Sequence, residues 1–170
     1  MNSMENLSGR LAMYLEEHGG KLQGDLPEDL FLLISRVIPM VNVDLLIKDS
    51  QKRTLLTWRD DDIYGAGWHL PGGMIRFREK ASDRVRKVAR LELGAEVTFD
   101  ETPHWVAEII HPTRDTRGHA VALLYGCELA GEPRADLEYR GGRPAAGAWK
   151  WHAHCPSDLL PFHRIYERFL

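Results

Sequence analysis

Apolar residues first recur at helical spacing in two segments, residues 7–18 and 27–38. The stripe of the first segment is made by Leu7, Leu11, Tyr14 and Leu15. In the second segment, Pro27 suits a first helical position, and Pro39 ends the helix because the residue before a proline disfavours helical geometry. The pattern therefore predicts two short helices at the start of the chain.

Further along, the pattern changes to short apolar runs rich in β-branched and aromatic residues, which are typical of strands. Pro71-Gly72-Gly73 predicts a tight turn between two extended pieces within 68–77, and 156–170 reads as helical pieces interrupted near Pro161. The predicted strands cover residues 40–47, 54–58, 104–111, 120–129 and 148–152, with loops at 59–67 and 130–147. This mixture predicts an α/β fold in which helices cover both faces of a mixed sheet.

The composition is that of one globular domain. The chain has 170 residues, of which 44% are hydrophobic and 28% charged, and a formal net charge of −3. This charge argues against a surface built for nucleic acid. Two cysteines, acids near the N-terminus and apolar runs shorter than a membrane span predict a reduced, cytoplasmic protein that is not a membrane protein. We divide the chain into an N-terminal extension, residues 1–25, and a main domain, residues 26–170.

The segment 80–93 is the most informative helix. Ala81, Val85 and Val88 lie at i, i+4 and i+7 and form one apolar face. Glu92 falls on the same face, where a carboxylate is costly to bury unless it is paired or bound to a metal ion. Two explanations are open from this pattern: the last turn frays into solvent or meets a lysine, or Glu92 belongs to a metal site.

A longer motif surrounds this helix. Trp68 and Pro71-Gly72-Gly73 lead, after five residues, to Glu79, and twelve residues later to Glu92-Leu93-Gly94. This run resembles the signature of the Nudix hydrolase superfamily, in which a Gly, five residues and a Glu precede, after seven more, the run Arg-Glu-apolar-any-Glu-Glu-any-Gly. The resemblance spans roughly residues 39–95 and implies an α/β fold, the Nudix-type α/β/α sandwich with a mixed β-sheet.

Two glutamates of that signature are missing, since Val88 and Leu91 stand at their positions, and Lys87 stands where arginine is usual. Nudix hydrolases use helix carboxylates to bind several divalent ions that activate water. With Glu92 alone, the resemblance implies a single ion, Mg²⁺ or alternatively Mn²⁺. Its protein ligands would be Glu92 and the Gly72 carbonyl oxygen, and the substrate diphosphate and water would complete the shell.

The same loss characterises one branch, the GDP-mannose mannosyl hydrolases. The chain also resembles this branch at Ile38-Pro39-x-Val41-x-Val43-Asp44 and at Trp58-Arg59. Members release a nucleoside diphosphate and free sugar by substitution at the sugar carbon, so that the metal ion stabilises the departing diphosphate. They form homodimers, which implies a homodimer here.

Carried over residue by residue, the resemblance assigns substrate contacts to four positions. Arg59 would touch the diphosphate, Asp44 would hold the sugar or the base, and Lys87 would keep the charge of the usual arginine. His111 matches a sugar-site histidine. The predicted catalytic residues are Glu79, Glu92 and Arg59. Of these, Glu79 is expected to orient the site and not to bind the metal ion.

Three departures from that branch leave the reaction open. Met74 stands where the branch has an arginine, and Ala120 where it has a tyrosine that contacts substrate. Residues 141–147 lack the Gln-His pair that supplies a metal ligand and the general base. Loss of a general base typically costs about 10²–10⁴-fold in rate.

We therefore predict a Mg²⁺-dependent hydrolase of a nucleoside-diphosphate sugar of the GDP-mannose type. Two alternatives are open: cleavage of the phosphoanhydride of a nucleoside diphosphate derivative, and a nucleotide-sugar-binding module without catalysis. In each case the partner is a small nucleoside diphosphate compound and not a nucleic acid. Further candidates flank the glycine turn, namely His69, Arg76 and Arg78.

Overall fold

The computed structural model describes residues 9, 12–17 and 28–170. Residues 9 and 12–17 are helical, inside the helix predicted over 7–18. The remainder of that predicted helix and the predicted domain boundary between residues 25 and 26 lie outside the described residues. No helix in the described part of the chain is both long and apolar enough to cross a membrane.

The main elements follow the predicted order. They are α1 (Glu28–Ile34), β1 (Met40–Ile47), β2 (Thr54–Asp61), β3 (Gly65–His69), β4 (Gly72–Met74), α2 (Ala81–Val88), β5 (Val97–Phe99), β6 (Trp105–Ile110), β7 (His119–Leu129) and β8 (Trp149–His152). A π-helical turn, Ala89–Leu93, continues α2, and 3-10 helices cover Ala135–Leu137 and Pro161–Phe169.

Three sequence predictions of the elements need correction. The loop predicted over 59–67 is mostly strand, because β2 and β3 form a hairpin whose short turn is closed by Asp61 Oδ1, which accepts the backbone N–H groups of Ile63 and Tyr64. Strand β5 was not predicted. Pro161 does not interrupt the last helix but begins it, at a position where its missing N–H costs nothing.

The strands form two sheets. The larger one is the predicted mixed sheet, with five strands in the order β4-β1-β7-β5 and with β6 also paired to β7. Its central pair, β1 and β7, is parallel, and its other pairs are antiparallel. The sequence did not predict the smaller antiparallel sheet, whose order is β3-β2-β8.

Side chains along β1 point alternately to the two faces of the sheet, and each face packs in a separate core. Val43, Leu45 and Ile47 pack with α2 in the first core, which Val85 and Val88 complete from the helix. The intervening face of the same sheet packs against the smaller sheet and the C-terminal 3-10 helix in a second core. Its buried members include Leu46, Leu56, Trp68, Ala107, Ala122 and Tyr166.

Candidate active site

A cavity of about 510 Å³ continues the space of the second core towards the surface. Residues of both sheets, of α1 and of the C-terminal 3-10 helix line it. One carboxylate, that of Asp44, faces this cavity. The basic side chains of the lining are the arginines Arg59, Arg76, Arg114 and Arg117 and the histidines His69, His111 and His163. Such a lining favours a ligand that carries several negative charges.

Gly72 lies at the centre of this site because of the register of β4 on β1. Leu45 N–H donates to Pro71 O and Ile75 N–H to Val41 O, so the intervening pair Asp44–Gly72 is a non-hydrogen-bonded pair of the antiparallel ladder. Gly72 therefore turns its N–H and C=O groups away from β1. A side chain at this position would collide with Asp44 Oδ1, which explains the glycine.

Glu92 leaves the π-helical turn and meets this free edge of β4. Its Oε1 accepts the Gly72 N–H at 3.0 Å, and its Oε2 lies 3.0 Å from the Thr57 hydroxyl. The Glu92 side chain is half-buried, so the last turn does not fray into solvent. Its two oxygens bond to Gly72 and Thr57 and, in the described part of the chain, not to a lysine. Burial raises the pKa of Glu92 to about 7, although the Gly72 and Thr57 hydrogen bonds and the Arg59 charge oppose this rise.

Thr57 joins Glu92 to a buried histidine. His69 Nδ1 lies 2.7 Å from Leu70 O, and since a carbonyl can only accept, Nδ1 carries the hydrogen. Burial, together with the Arg59 charge, lowers the pKa of His69 to about 3, so its Nε2 is an acceptor, 3.2 Å from the Thr57 hydroxyl. Thr57 has one hydrogen for two acceptors and can donate it to only one of them at a time.

Asp44 is held from the far end of the chain. Tyr166, which is fully buried, donates its hydroxyl hydrogen to Asp44 Oδ2. Burial raises the pKa of Asp44 to about 6, while the Tyr166 hydrogen bond and the Arg59 charge oppose this rise. Two carboxylates, the buried Asp44 and the half-buried Glu92, thus flank the backbone of Gly72.

The sequence model of the NUDIX domain matches residues 38–162, which include every strand, α2 and the whole of this site apart from Phe31, His163 and Tyr166. The chain belongs to the NUDIX family. The matched range includes Glu79, Glu92 and the glycine turn.

One curated protein is similar to part of the chain. The chain is 32% identical over 93 residues to the low-salt glycan biosynthesis protein Agl8 of Haloferax volcanii, and the match covers 55% of this chain and 58% of that protein. The chain therefore spans little more than half the length of this curated relative.

Solved structures agree as well. A MutT NUDIX hydrolase from Burkholderia pseudomallei is 26% identical with a TM-score of 0.62, over 78% of this chain and 98% of that one. A MutT protein from Methanosarcina mazei Go1 is 16% identical with a TM-score of 0.58, over 78% and 94% of the two chains. At the latter identity the likeness concerns the fold alone.

The first glutamate of the Nudix motif does not line the cavity. Glu79 Oε2 accepts the Arg76 N–H at 2.9 Å and forms an ion pair with Arg84 at 2.6 Å, with 17% and 7% of the two side chains exposed. Burial alone would raise the pKa of Glu79, but these hydrogen bonds and the Arg84 and Lys87 charges outweigh it and lower the pKa. Glu79 therefore fixes the loop that carries Arg76 and the start of α2.

The other predicted substrate residues divide into two groups. Arg59 and His111 line the cavity with Asp44. His111 Nδ1 accepts the Thr113 N–H at 3.4 Å, which leaves Nε2 to donate to a substrate oxygen. Lys87 lies on the exposed side of α2, away from the cavity lining, while the neighbouring Arg84 is buried.

Several cavity residues were not singled out from the sequence. Arg114 lies over the Tyr64 ring at 4.5 Å, and Arg117 over the Phe31 ring at 4.6 Å. Arg117 has a φ of 52°, rare for a side chain of its size, and its N–H donates to Ser35 Oγ. The charged, turn-rich sequence of 111–118 was the available signal for these residues.

The residues present suit one hard divalent ion. Mg²⁺ prefers oxygen ligands and is often held by one or two carboxylates plus substrate phosphates. Glu92 offers such oxygens beside Gly72, whose C=O is not used by the ladder and is a further oxygen ligand. Within the described residues no cluster of three or more His, Cys, Asp or Glu side chains could hold a metal ion without a substrate.

Proposed function

We propose that this Nudix protein is a Mg²⁺-dependent hydrolase of a nucleoside-diphosphate sugar that releases the nucleoside diphosphate and the sugar. The observation that carries the proposal is the arrangement of two carboxylates around Gly72: Asp44 and Gly72 line an arginine-rich cavity, and Glu92 accepts the Gly72 N–H. The GDP-mannose type is supported by the motif, which keeps a single helix glutamate at its last three acidic positions, and by the similarity to Agl8, a protein named for glycan biosynthesis.

Charge explains why a diphosphate fits. Two carboxylates without a cation would repel the phosphates, whereas four arginines around the cavity attract them. A divalent ion bound at Glu92 and Gly72 would neutralise negative charge that grows on the departing diphosphate. Arg59 lies near both carboxylates, since its charge affects the pKa of Asp44 and of Glu92, and it would contact the diphosphate beside the ion.

Asp44 and His111 have complementary roles in this proposal. Asp44 can only accept hydrogen bonds when ionised, and His111 Nε2 can donate one. Both line the cavity, so together they suit a ligand rich in hydroxyl groups, such as a sugar. Glu79 holds Arg76 towards the phosphates without touching them.

The test is a turnover screen with purified protein and a panel of nucleoside-diphosphate sugars and dinucleotides, each with Mg²⁺, Mn²⁺ or EDTA. We expect metal-dependent release of a nucleoside diphosphate and free sugar, and a loss of at least about 10²-fold in Glu92→Gln. Unchanged turnover in Glu92→Gln would refute the metal assignment. In ¹⁸O-water, label in the sugar hydroxyl indicates attack at carbon, and label in phosphate indicates attack at phosphorus; release of a nucleoside monophosphate then identifies cleavage of the phosphoanhydride.

One observation favours a second candidate, a nucleotide-sugar-binding module. Loop 141–147 contributes no side chain to the cavity lining, and it has no Gln-His pair. In His69, the Nδ1–H group donates to Leu70 O and Nε2 lies against the Thr57 hydroxyl. In His163, Nδ1 accepts the Leu70 N–H, so Nε2 carries the ring hydrogen. Neither histidine therefore replaces the missing general base directly. Metal-dependent binding of a panel compound without product would establish this alternative.

A further inference from the structure

The C-terminal 3-10 helix, Pro161–Phe169, makes direct contacts with the strands that form the site. His163 Nδ1 accepts the Leu70 N–H at 3.0 Å, directly before Pro71-Gly72-Gly73. Phe162 packs on Tyr64, at the tip of the β2–β3 hairpin, with 4.7 Å between ring centroids. These contacts tie the end of the chain to two of the segments that line the cavity.

The third contact is the most specific one. Tyr166 is fully buried, and its hydroxyl donates to Asp44 Oδ2, while Asp44 itself is only 5% exposed. The ring of Tyr166 is fixed by edge-to-face contacts with His163 and Trp105, at 5.3 and 5.9 Å between centroids. The Tyr166 ring is therefore held from two sides, and Asp44 is buried against it.

This bond decides which carboxylate oxygen is free. With Oδ2 engaged by Tyr166, Oδ1 lies against Gly72, and both residues line the cavity. An unanchored aspartate would sample other orientations about its last torsion, which is broad. The tyrosine thus selects one orientation of Asp44 before a ligand arrives, which reduces the entropy lost on binding.

We propose that Tyr166 is a positioning residue for substrate recognition: it orients Asp44 so that Oδ1 accepts a hydrogen bond from a hydroxyl or N–H group of the substrate. The inference rests on the proposed function only in taking the cavity as the substrate site. Tyr166 does not itself line the cavity and acts through Asp44.

The test is a double-mutant cycle of Tyr166→Phe and Asp44→Asn, with GDP-mannose and Mg²⁺ as the first probe and the most responsive panel compound as the second. Without this orientation Asp44 must lose side-chain freedom when the substrate binds, so Tyr166→Phe should raise KM about two- to tenfold. The Mg²⁺ concentration for half-maximal rate should stay unchanged. In the Asp44→Asn background, Tyr166→Phe should cause no further rise.

Tyr139→Phe is the matched control. Its hydroxyl donates to Gly142 O, outside the cavity lining, so its KM should equal that of the wild type. Wild-type KM in Tyr166→Phe, or equal effects of that substitution with and without Asp44, would overturn the proposal. If the wild type binds the sugar nucleotide without turnover, the same cycle is run on Kd from titration calorimetry, and only the hydrolase assignment fails.

A measurement on the wild-type Tyr166 side chain keeps the proposal testable if the Tyr166→Phe variant is unstable. The Tyr166 hydroxyl proton, buried and bonded to a carboxylate, should give a downfield proton resonance that moves upfield in Asp44→Asn, where a neutral amide oxygen is the weaker acceptor. It should shift when the sugar nucleotide saturates the protein, because the ligand then shares the same carboxylate. A resonance whose chemical shift does not change when the sugar nucleotide binds would contradict the inference.

Discussion

Buried charge is balanced differently at the three acidic residues of the site. Glu79 meets a full ion pair with Arg84, Asp44 meets a neutral hydroxyl, and Glu92 meets a backbone N–H and a hydroxyl. The pKa of the first is accordingly lowered, and those of the other two are raised. The ion-paired carboxylate of Glu79 stabilises the fold. Among the described residues, Asp44 and Glu92 form no ion pair with a basic side chain and remain available to a ligand.

Glu79→Gln should lower the free energy of unfolding by about 1–3 kcal/mol at pH 7, since it leaves Arg84 with a weaker partner. A carboxylate whose folded pKa is lowered stabilises the protein above its unfolded pKa, and this contribution is lost as the pH falls through the folded value. The wild type and the variant should therefore converge below about pH 4 in urea unfolding.

Asp83→Asn is the control for that series. Asp83 is 60% exposed and lies 3.4 Å from Arg86, so its loss should cost less than about 1 kcal/mol. A difference between Glu79→Gln and the wild type that does not change with pH would contradict the role of the ion pair.

Gly72→Ala should reduce both stability and activity, because the new methyl group collides with Asp44 Oδ1 and displaces either β4 or the carboxylate. Overpacking of this kind costs about 1–3 kcal/mol. Gly126→Ala, which meets open space in β7, is the matched control and should be close to neutral. Thermal unfolding and the turnover screen together measure both effects, and wild-type behaviour of Gly72→Ala would refute the steric account.

At the scale of elements, α2 passes from α-helical to π-helical geometry in the turn that carries Glu92. It is regular from Ala81–Val88 and then continues as the π-helical turn Ala89–Leu93, a feature often found at functional sites. Gly94 ends the turn with a φ of 64°, and the N–H of Arg134 donates to Leu93 O at 2.8 Å. The end of the helix is thus fixed by a left-handed glycine and by the loop that follows β7.

Gly94→Ala should lower the free energy of unfolding by about 1–2 kcal/mol or more, because alanine is strained at positive φ and its Cβ would collide with Arg134. Gly131→Ala, without positive φ and with open space around it, should change stability by less than about 0.5 kcal/mol. Chemical denaturation measures both. Equal stabilities of the two variants would show that the helix end does not depend on this cap.

At the scale of the whole molecule, the two sheets share one space that is core at one end and cavity at the other. Leu124 and Ala122 of β7 belong to the second core, whereas Ala120, further along the same strand, lines the cavity. The cavity end carries charged side chains, among them Arg59 and Asp44. In the proposed function, metal ion and substrate therefore enter the same opening and bind side by side.

Ligand binding should consequently be cooperative. The rise in Tm with Mg²⁺ and the sugar nucleotide together should exceed the sum of the rises with each alone, because the cation removes the repulsion between the carboxylates and the phosphates. EDTA should abolish the excess. Glu92→Gln should abolish it too, whereas Glu96→Gln, at an exposed ion pair with Arg90, should keep it. An additive response in the wild type would refute a shared site.

The sequence predicted those parts of the molecule that depend on local patterns. The strands around Val43 and Leu124 and the helix ended by Gly94 follow from periodicity, and Glu92 stood out as a carboxylate on an apolar face. The three-residue strand β5 is too short to show a period. His163 and Tyr166 contact residues 93 and 122 positions earlier in the chain, a distance over which no local pattern carries information.

Small side chains on the cavity face of β7 have a consequence for how such a protein can diverge. Ala120 carries no chemistry, yet its size sets how deep a ligand can reach towards the second core. A single change to a larger residue at position 120 would make the cavity shallower while leaving Glu92, Gly72 and Asp44 in place. Selectivity for ligand size can therefore evolve one residue at a time, independently of the machinery that handles phosphate.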